Sequence, residues 1–381
     1  MRIATLSSTE QFEKLHSEWN QLLSTAAANN VFLTWEWQSA WWQIYGRPGA
    51  LRLFLAYDDA GRLCGIAPLY RSSTYVGPLR FRTLEFIGGR HVASEYLDFI
   101  ACSDVHSEVV AAFLAELRRQ RQWDLILGFH TPAESPTVSS LGDPALGLPW
   151  TITGQVDSLY VPPAPDWDSY LAKLGKLTRR NVRYYRNGIE KKLGATVCDL
   201  RDSIPETFPQ LIALHQMRMR QLGFPGSFAS ARFIRFHEHV AHLFAEKGWG
   251  RLFALRAGDR LIAANYGFAY NGTFSDYSMG FDPAYSDYSI GFVLFSHMLE
   301  RCMGEHLEVD FLDPGQFKEL WKPLRRPKVS YAVGASAAML AAYTRATAAR
   351  TFINRTLKRL LPARAANRMA VWKDSLLSRL S

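Results

Sequence analysis

The sequence predicts two related α/β (α+β) domains in tandem, each a mixed, mostly antiparallel sheet flanked by helices, with a helical tail behind them. Three observations carry this. Two stretches that begin Arg-Leu-Phe, "RLFLAYDDAGRLCGIAPLYR" from Arg52 and "RLFALRAGDRLIAANYGFAYNGTFSDYSMGF" from Arg251, both read as strand, tight turn, strand. Each is preceded by two helical segments and followed by a helix leading to another short strand, a weak internal duplication. Between the copies lies the Pro-rich "VPPAPD", and Pro clusters end elements and mark linkers. The domains are therefore drawn at 1–160 and 166–335, with the tail at 336–381.

The first helical pair is Thr9 to Ala26 and Trp35 to Tyr45. Within "TWEWQSAWW", Trp35 and Trp42 lie on one helical face and Trp37 and Trp41 on another, so one pair is expected in the core and the other at the surface. After the first hairpin, a helix from Val105 to Gln120 leads to the strand "WDLILGF". Beyond the linker, "YLAKLGKLTRRNVRYYRNGIEKK" carries a core-facing stripe of Leu171, Leu174, Leu177, Val182, Tyr185 and Ile189. The second helical pair is Ile204 to Gln221 and Ala231 to Lys247. His239, His242 and Glu246 stand at ligand-compatible spacing in it, but no third ligand is evident, so a polar face and no metal are expected. Asn271-Gly272 turns the second hairpin, and a helix from Ser289 to Met303 precedes "LEVDFL". Ser289 reads as its N-cap and Gly291 as a point of close approach. A strand, a short Gly-containing loop and a helix start together make an anion site.

Composition bounds the class. With 381 residues, 48% hydrophobic and 13% aromatic, the chain is long enough to bury more than one core. No apolar run approaches the length of a membrane span and the N-terminus lacks an apolar signal core, so a cytoplasmic location is the expectation. Cys64, Cys102, Cys198 and Cys302 show no C-x-x-C spacing and read as buried reduced thiols. The net charge of +9 is concentrated: Ala341–Ser381 holds nine basic residues against Asp374, and Tyr170–Lys192 eight against Glu190. Those two segments suit polyanions or an anionic membrane leaflet, or else are solvated helix faces.

Five stretches in order carry a family resemblance: "VFLTWEWQSAWWQIYG", "SEYLDFI", "LTRRNVRYYRNGIEKK", "GFDPAYSDYSIGFVLFSHMLE" and "VDFLDPGQFKELWKP". From Phe12 to Val333 the chain resembles the GNAT acyltransferase fold in duplicate, specifically the CelD-type acetyltransferases of cellulose and exopolysaccharide loci, relatives of the Fem aminoacyltransferases. The resemblance implies acetyl-CoA or another acyl-CoA as donor and a small-molecule or saccharide acceptor belonging to envelope polysaccharide. It implies a donor site at Met279, Gly280 and Phe281, where backbone N–H groups would face the developing oxyanion, and at Ser286, Ser289, Ile290 and Gly291, where the pyrophosphate would sit. Two departures stand out. Asp287 lies in the pyrophosphate loop, and Phe317 precedes Lys318 where relatives tend to have Tyr-Lys-x-x-Trp.

Acyl transfer also needs a base for the acceptor and an acid for the departing sulfur. The candidate carboxylates are Glu95 and Asp98 in "SEYLDFI" and Asp310 and Asp313 in "VDFLDPG"; Tyr288 and Tyr277 are candidate acids, and Lys318 is drawn in through its motif. Strand alternation would put Tyr96 and Asp98 on one face and Glu95 on the other. Two other readings stay open: Fem-like transfer from charged tRNA, motivated by Arg179, Arg180 and Arg183, and a non-catalytic binding protein that kept the fold. Oligomeric state is not legible. The tail, split by Pro362, is expected to pack on the protein or to rest on the inner membrane face.

Overall fold

The computed structural model describes residues 1–120 and 122–360. The strands are β1 (Arg2–Leu6), β2 (Leu51–Tyr57), β3 (Leu63–Val76), β4 (Leu79–Phe86), β5 (Ile100–Ala101), β6 (Leu125–Pro132), β7 (Trp150–Val161), β8 (Ala195–Asp199), β9 (Gly250–Ala257), β10 (Arg260–Tyr270), β11 (Thr273–Phe281), β12 (Glu308–Asp310) and β13 (Leu324–Gly334). The first-half helices are α1 (Thr9–Lys14), α2 (His16–Thr25), α3 (Trp35–Tyr45), α4 (His106–Gln120) and α5 (Pro136–Leu141). Those that follow are α6 (Trp167–Lys173), α7 (Lys176–Leu193), α8 (Ile204–Gln221), α9 (Ala231–Glu246), α10 (Ile290–Gly304), α11 (Gln316–Glu319) and α12 (Ala337–Leu360).

All these strands join one sheet in the order β1-β2-β3-β4-β6-β13-β7-β12-β11-β10-β9-β8, with β5 added to the side of β3. Pairing is antiparallel except at β4–β6 and β11–β12, one parallel step in each half. The duplication thus survives as two equivalent ladders running outward from the centre. At the centre the halves exchange strands: β7 of the first half pairs with β12, and β13 of the second half pairs with β6. The two exchanged strands also pair with each other from Leu324–Tyr160 to Val333–Trp150. The Pro162–Asp166 linker leads from β7 into α6, whose N-cap is the Asp166 side chain, yet the sheet runs through it without interruption.

Several sequence expectations change in detail. The first helix breaks at Leu15 into α1 and α2. The basic stretch breaks at Leu174-Gly175, which turns Leu177 out to solvent while Leu171, Leu174, Val182 and Ile189 stay buried. Trp37, Trp41 and Trp42 are all buried and Trp35 is partly so, so no tryptophan pair of α3 lies at the surface. The reason is that α3 is wedged between halves: Trp37 makes edge contacts with Phe236 of α9 (4.9 Å) and Phe268 of β10 (5.4 Å). Cys64 and Cys302 are buried, whereas Cys102 and Cys198 are partly exposed. Residues between β4 and β5 form no strand; His91, Ala93 and Tyr96 adopt positive φ, and alternation does not govern which way Glu95 and Asp98 face.

The tail is in part core. Leu340, Ala342, Tyr343 and Ala346 of α12 pack on Val76, Phe81, Leu125, Leu127 and Ala332, while Phe352 and Ile353 are exposed. The remainder of the predicted tail, from Pro362 through Trp372 to Leu380, lies outside the described residues.

Because Trp37 sits in a core shared by both halves, Trp37→Ala should lower stability by about 3–5 kcal/mol. It should lower it through one cooperative transition rather than two. Denaturation followed by circular dichroism and tryptophan fluorescence checks this; separate transitions for the two halves would contradict a shared core.

Candidate functional site

The parallel pairing of β11 with β12 covers only Thr273–Ser275 against Glu308–Asp310. Beyond that point β11 runs on to Phe281 with one edge unpaired, and a bulge at Tyr277, opposite Tyr266/Gly267, accentuates the divergence. The gap is a cleft of about 540 Å³. β11 forms its floor, the start of α10 one wall and the Gly315–Lys318 segment the other. Of the seven donor-site residues expected from the sequence, Met279, Phe281, Ser286, Ser289, Ile290 and Gly291 line it. Gly280 does not. It is the point where α8 lies directly on β11, and a Cβ there would come within 2.3 Å of the His215 amide nitrogen.

Ser289 is not the predicted side-chain N-cap. It adopts φ 51°, ψ 39°, and its hydroxyl caps nothing. The first amides of α10, at Ile290, Gly291 and Phe292, have no intrahelical acceptor, so their N–H groups and the positive end of the helix dipole remain for an anion. The sequence reading missed the cation that joins them. Arg218, in the last turn of α8, lines the same cleft with its guanidinium 4.7 Å from the Phe281 ring centre. Among the described residues it has no carboxylate partner, and burial pulls its pKa down. Asp287, the unfavourable carboxylate of the loop, is exposed and outside the lining.

The expected catalytic groups separate. Lys318 lines the cleft, its ammonium donating to the Phe311 and Asp313 carbonyls at 2.8 and 3.1 Å. The Asp313 carboxylate is exposed and Tyr288 packs against the core under α10; neither lines the cleft. Glu95 is buried in an ion pair with Lys328 (2.6 Å) and meets His130 Nδ1 at 2.9 Å. Asp98 is buried elsewhere, accepting from the Ser135 hydroxyl and from the Phe99 amide (2.8 Å). Asp310 accepts from Tyr96 (2.5 Å), Ser158 (2.6 Å) and the Leu312 amide (2.7 Å) and faces a different cavity.

The carboxylate that does face the cleft is Asp276. It accepts from Asn265 Nδ2 at 2.7 Å, and burial raises its pKa while nearby Lys318 opposes the rise. Beside it Tyr277 donates to the Val92 carbonyl (2.6 Å) and therefore accepts from His237 Nε2 (3.1 Å). Burial holds His237 neutral, down at about 3. The phenol is thus already committed to the first half of the chain. Asp276 was legible in principle, as the one carboxylate within "FSDYSMGF", but it sits within a strand and not at a strand end.

Residues 176–322 match the family model described as acetyltransferase (GNAT) domain. No curated protein matches the chain. Among solved structures, FemX superposes with a TM-score of 0.61 at 12% identity, over 87% of this chain and 97% of that one. A conserved protein of unknown function from Bacteroides thetaiotaomicron gives 0.53 at 12%, over 87% and 99%. L-PGS from Bacillus licheniformis gives 0.50 at 14%, over 86% and 92%. The fold is therefore GNAT-like and the domain match supports an acyltransferase; at these identities the likenesses speak for the fold alone.

Burial pushes the Asp98 carboxyl up to about 6. A raised carboxyl pKa adds stability that is fully present below the unfolded value and is lost as pH rises through the folded one. Between pH 4 and pH 7 the protein should lose on the order of 2–3 kcal/mol from this group. Asp98→Asn should remove that dependence, as measured by thermal denaturation at both pH values.

Proposed function

We propose that the chain is an acyl-CoA-dependent acyltransferase whose thioester donor occupies the cleft between β11 and α10. One observation carries the reading: the open edge of β11, the start of α10 without a side-chain cap and Arg218, which has no carboxylate partner among the described residues, converge on a single cleft. Neutral ligands have no use for that concentration of N–H groups and positive charge. A diphosphate placed there meets helix amides and a guanidinium, while the thioester carbonyl lies along backbone amides of β11. Asp276 takes the proton from the acceptor's O–H or N–H. The freed lone pair bonds to the acyl carbon, the C–S bond breaks, and the departing thiolate takes up a proton from solvent or from Lys318. Phe317 cannot supply that proton, having no hydroxyl. Following the family resemblance, the acceptor is a saccharide or precursor of envelope polysaccharide.

A Fem-like aminoacyl transfer from tRNA is the second reading, and α7 favours it. Lys176, Arg180 and Arg183 are exposed without ion-pair partners among the described residues, beside exposed Leu177 and Tyr184, on a helix that packs against the Pro283–Tyr288 turn at the cleft. The non-catalytic reading is less favoured, since the cleft is open rather than filled. Exposed Phe352 and Ile353 beside Arg355 on α12 keep contact with an anionic inner leaflet as a proposed role. Among the described residues no helix is long and apolar enough to cross a membrane.

Calorimetric titration should show CoA binding, weakened about 10-fold in Arg218→Ala for loss of one charge-assisted contact. No binding by the wild type would sink the donor assignment. Asp276→Asn should lower kcat by roughly 10²–10⁴ with CoA affinity intact. Because the base must be ionised, kcat/KM should fall as pH drops through a value above the ordinary carboxylate range. For tRNA, affinity that falls with salt and is lost on charge reversal at Arg180 and Arg183 would favour the second reading instead.

A further inference from the structure

A second cavity of about 550 Å³ lies between the halves, walled by the loop before α3, by β7, and by the paired ends of β11 and β12. Its cations are already matched. Arg326 grips Glu308 through both nitrogens (3.0 and 3.1 Å), reaches Asp310 at 3.3 Å and lies 4.2 Å over the Tyr160 ring. Arg325 is paired with Asp157 and Glu319. No cation in the lining is left over for a phosphate or carboxylate.

What is left over is neutral or accepting. The hydroxyls of Tyr160, Tyr270, Thr273 and Ser275, the side-chain amide of Asn29 and the carboxylate of Glu134 all line the cavity and have no hydrogen-bond partner among the described residues. Ser275 is the most telling, because only 6% of it is exposed and its hydroxyl still opens into the cavity. The Asn29 side-chain oxygen, Oδ1, is buried and unsatisfied among the described residues. Ser275 and the Asn29 amide oxygen are buried, and buried polar groups are normally paired; with the half-buried hydroxyls of Tyr160, Tyr270 and Thr273 around them they suit a ligand that both donates and accepts at many points without carrying charge, and with faces that lie against Tyr96 and Phe32.

We propose that this interdomain cavity binds a neutral, unphosphorylated sugar unit. Anion binding and sugar binding are thereby divided between two cavities on opposite faces of one strand: Ser275 faces the sugar cavity, and the next residue, Asp276, faces the donor cleft. The inference deepens the acyltransferase reading and rests on it only in making the sugar part of the acceptor; binding itself requires no CoA.

Saturation-transfer NMR on the full chain with glucose, N-acetylglucosamine and cellobiose tests it, with glucose 6-phosphate as the charged comparison. At least one neutral sugar should show transfer. Its dissociation constant should rise about three- to ten-fold in Tyr160→Phe and in Thr273→Val, the loss of one hydrogen bond each, with circular dichroism and CoA affinity unchanged. Absence of transfer from all three sugars at tens of millimolar, equal affinity in both variants, or tighter binding of glucose 6-phosphate than of glucose would each overturn it. Sugar binding without CoA binding would leave this proposal standing and remove the acyltransferase reading.

Discussion

Lys328 is wholly buried on β13, and its ammonium is divided between two parts of the chain that are distant in sequence. It donates to Glu95 at 2.6 Å in the first half and to the Leu312 carbonyl at 2.7 Å in the second. A buried charge without its partner is costly, by several kcal/mol, so the second half cannot place β13 without the first half presenting Glu95. The same ammonium helps to hold Leu312, at φ 63°, in the left-handed region. Lys318 fixes the carbonyls on either side of it. Two lysines thus pin the Phe311–Asp313 bend that begins the cleft's far wall. The centre of the sheet, the bend and the cleft are therefore one electrostatic arrangement, with Glu95 as its first-half end.

The duplication makes a comparison possible within one molecule. In the first half the strand pair equivalent to β11 and β12 is β4 and β6, and the helix equivalent to α10 is α4. There Phe99 stands between Phe86 of β4 (5.3 Å) and Phe113 of α4 (5.5 Å). The stretch that carries it, between β4 and β5, also supplies Val92, Glu95 and Tyr96 to the interface with the second half. The first copy has thus filled its own gap and turned the filling outward to complete its neighbour's surroundings.

Much of the fold was legible because it is local. The limits of α3 and α8 and both hairpins follow from apolar periodicity and turn residues within about twenty positions. That six of the expected residues would line one cleft was legible for the same reason, since they fall within the thirteen positions from Met279 to Gly291. What was not legible is non-local. Arg218 reaches the cleft from a helix sixty residues upstream, and nothing in "HQMRMRQ" says which arginine turns toward it. Asp98 and Glu95 share a short motif yet are captured by Ser135 and Lys328, which no spacing rule relates to them. The exchange of β7 and β13 depends on which edges remain open, a property of the assembled sheet rather than of either strand. Positive φ at His91, Ala93 and Tyr96, none of them glycine, likewise reflects surroundings that override local preference.

The position of β13 carries a consequence for how the chain comes to be folded at all. It lies near the middle of the sheet but near the end of the sequence, between strands made some two hundred residues earlier. During synthesis from the N-terminus, β6 and β7 must wait as unpaired edges until Leu324–Gly334 leaves the ribosome. Open edges of this kind invite pairing with other chains. Long-range closure of the ladder also makes the final step slow. A nascent or prematurely ended chain is therefore exposed to intermolecular strand pairing at the very edges that the finished protein keeps inside.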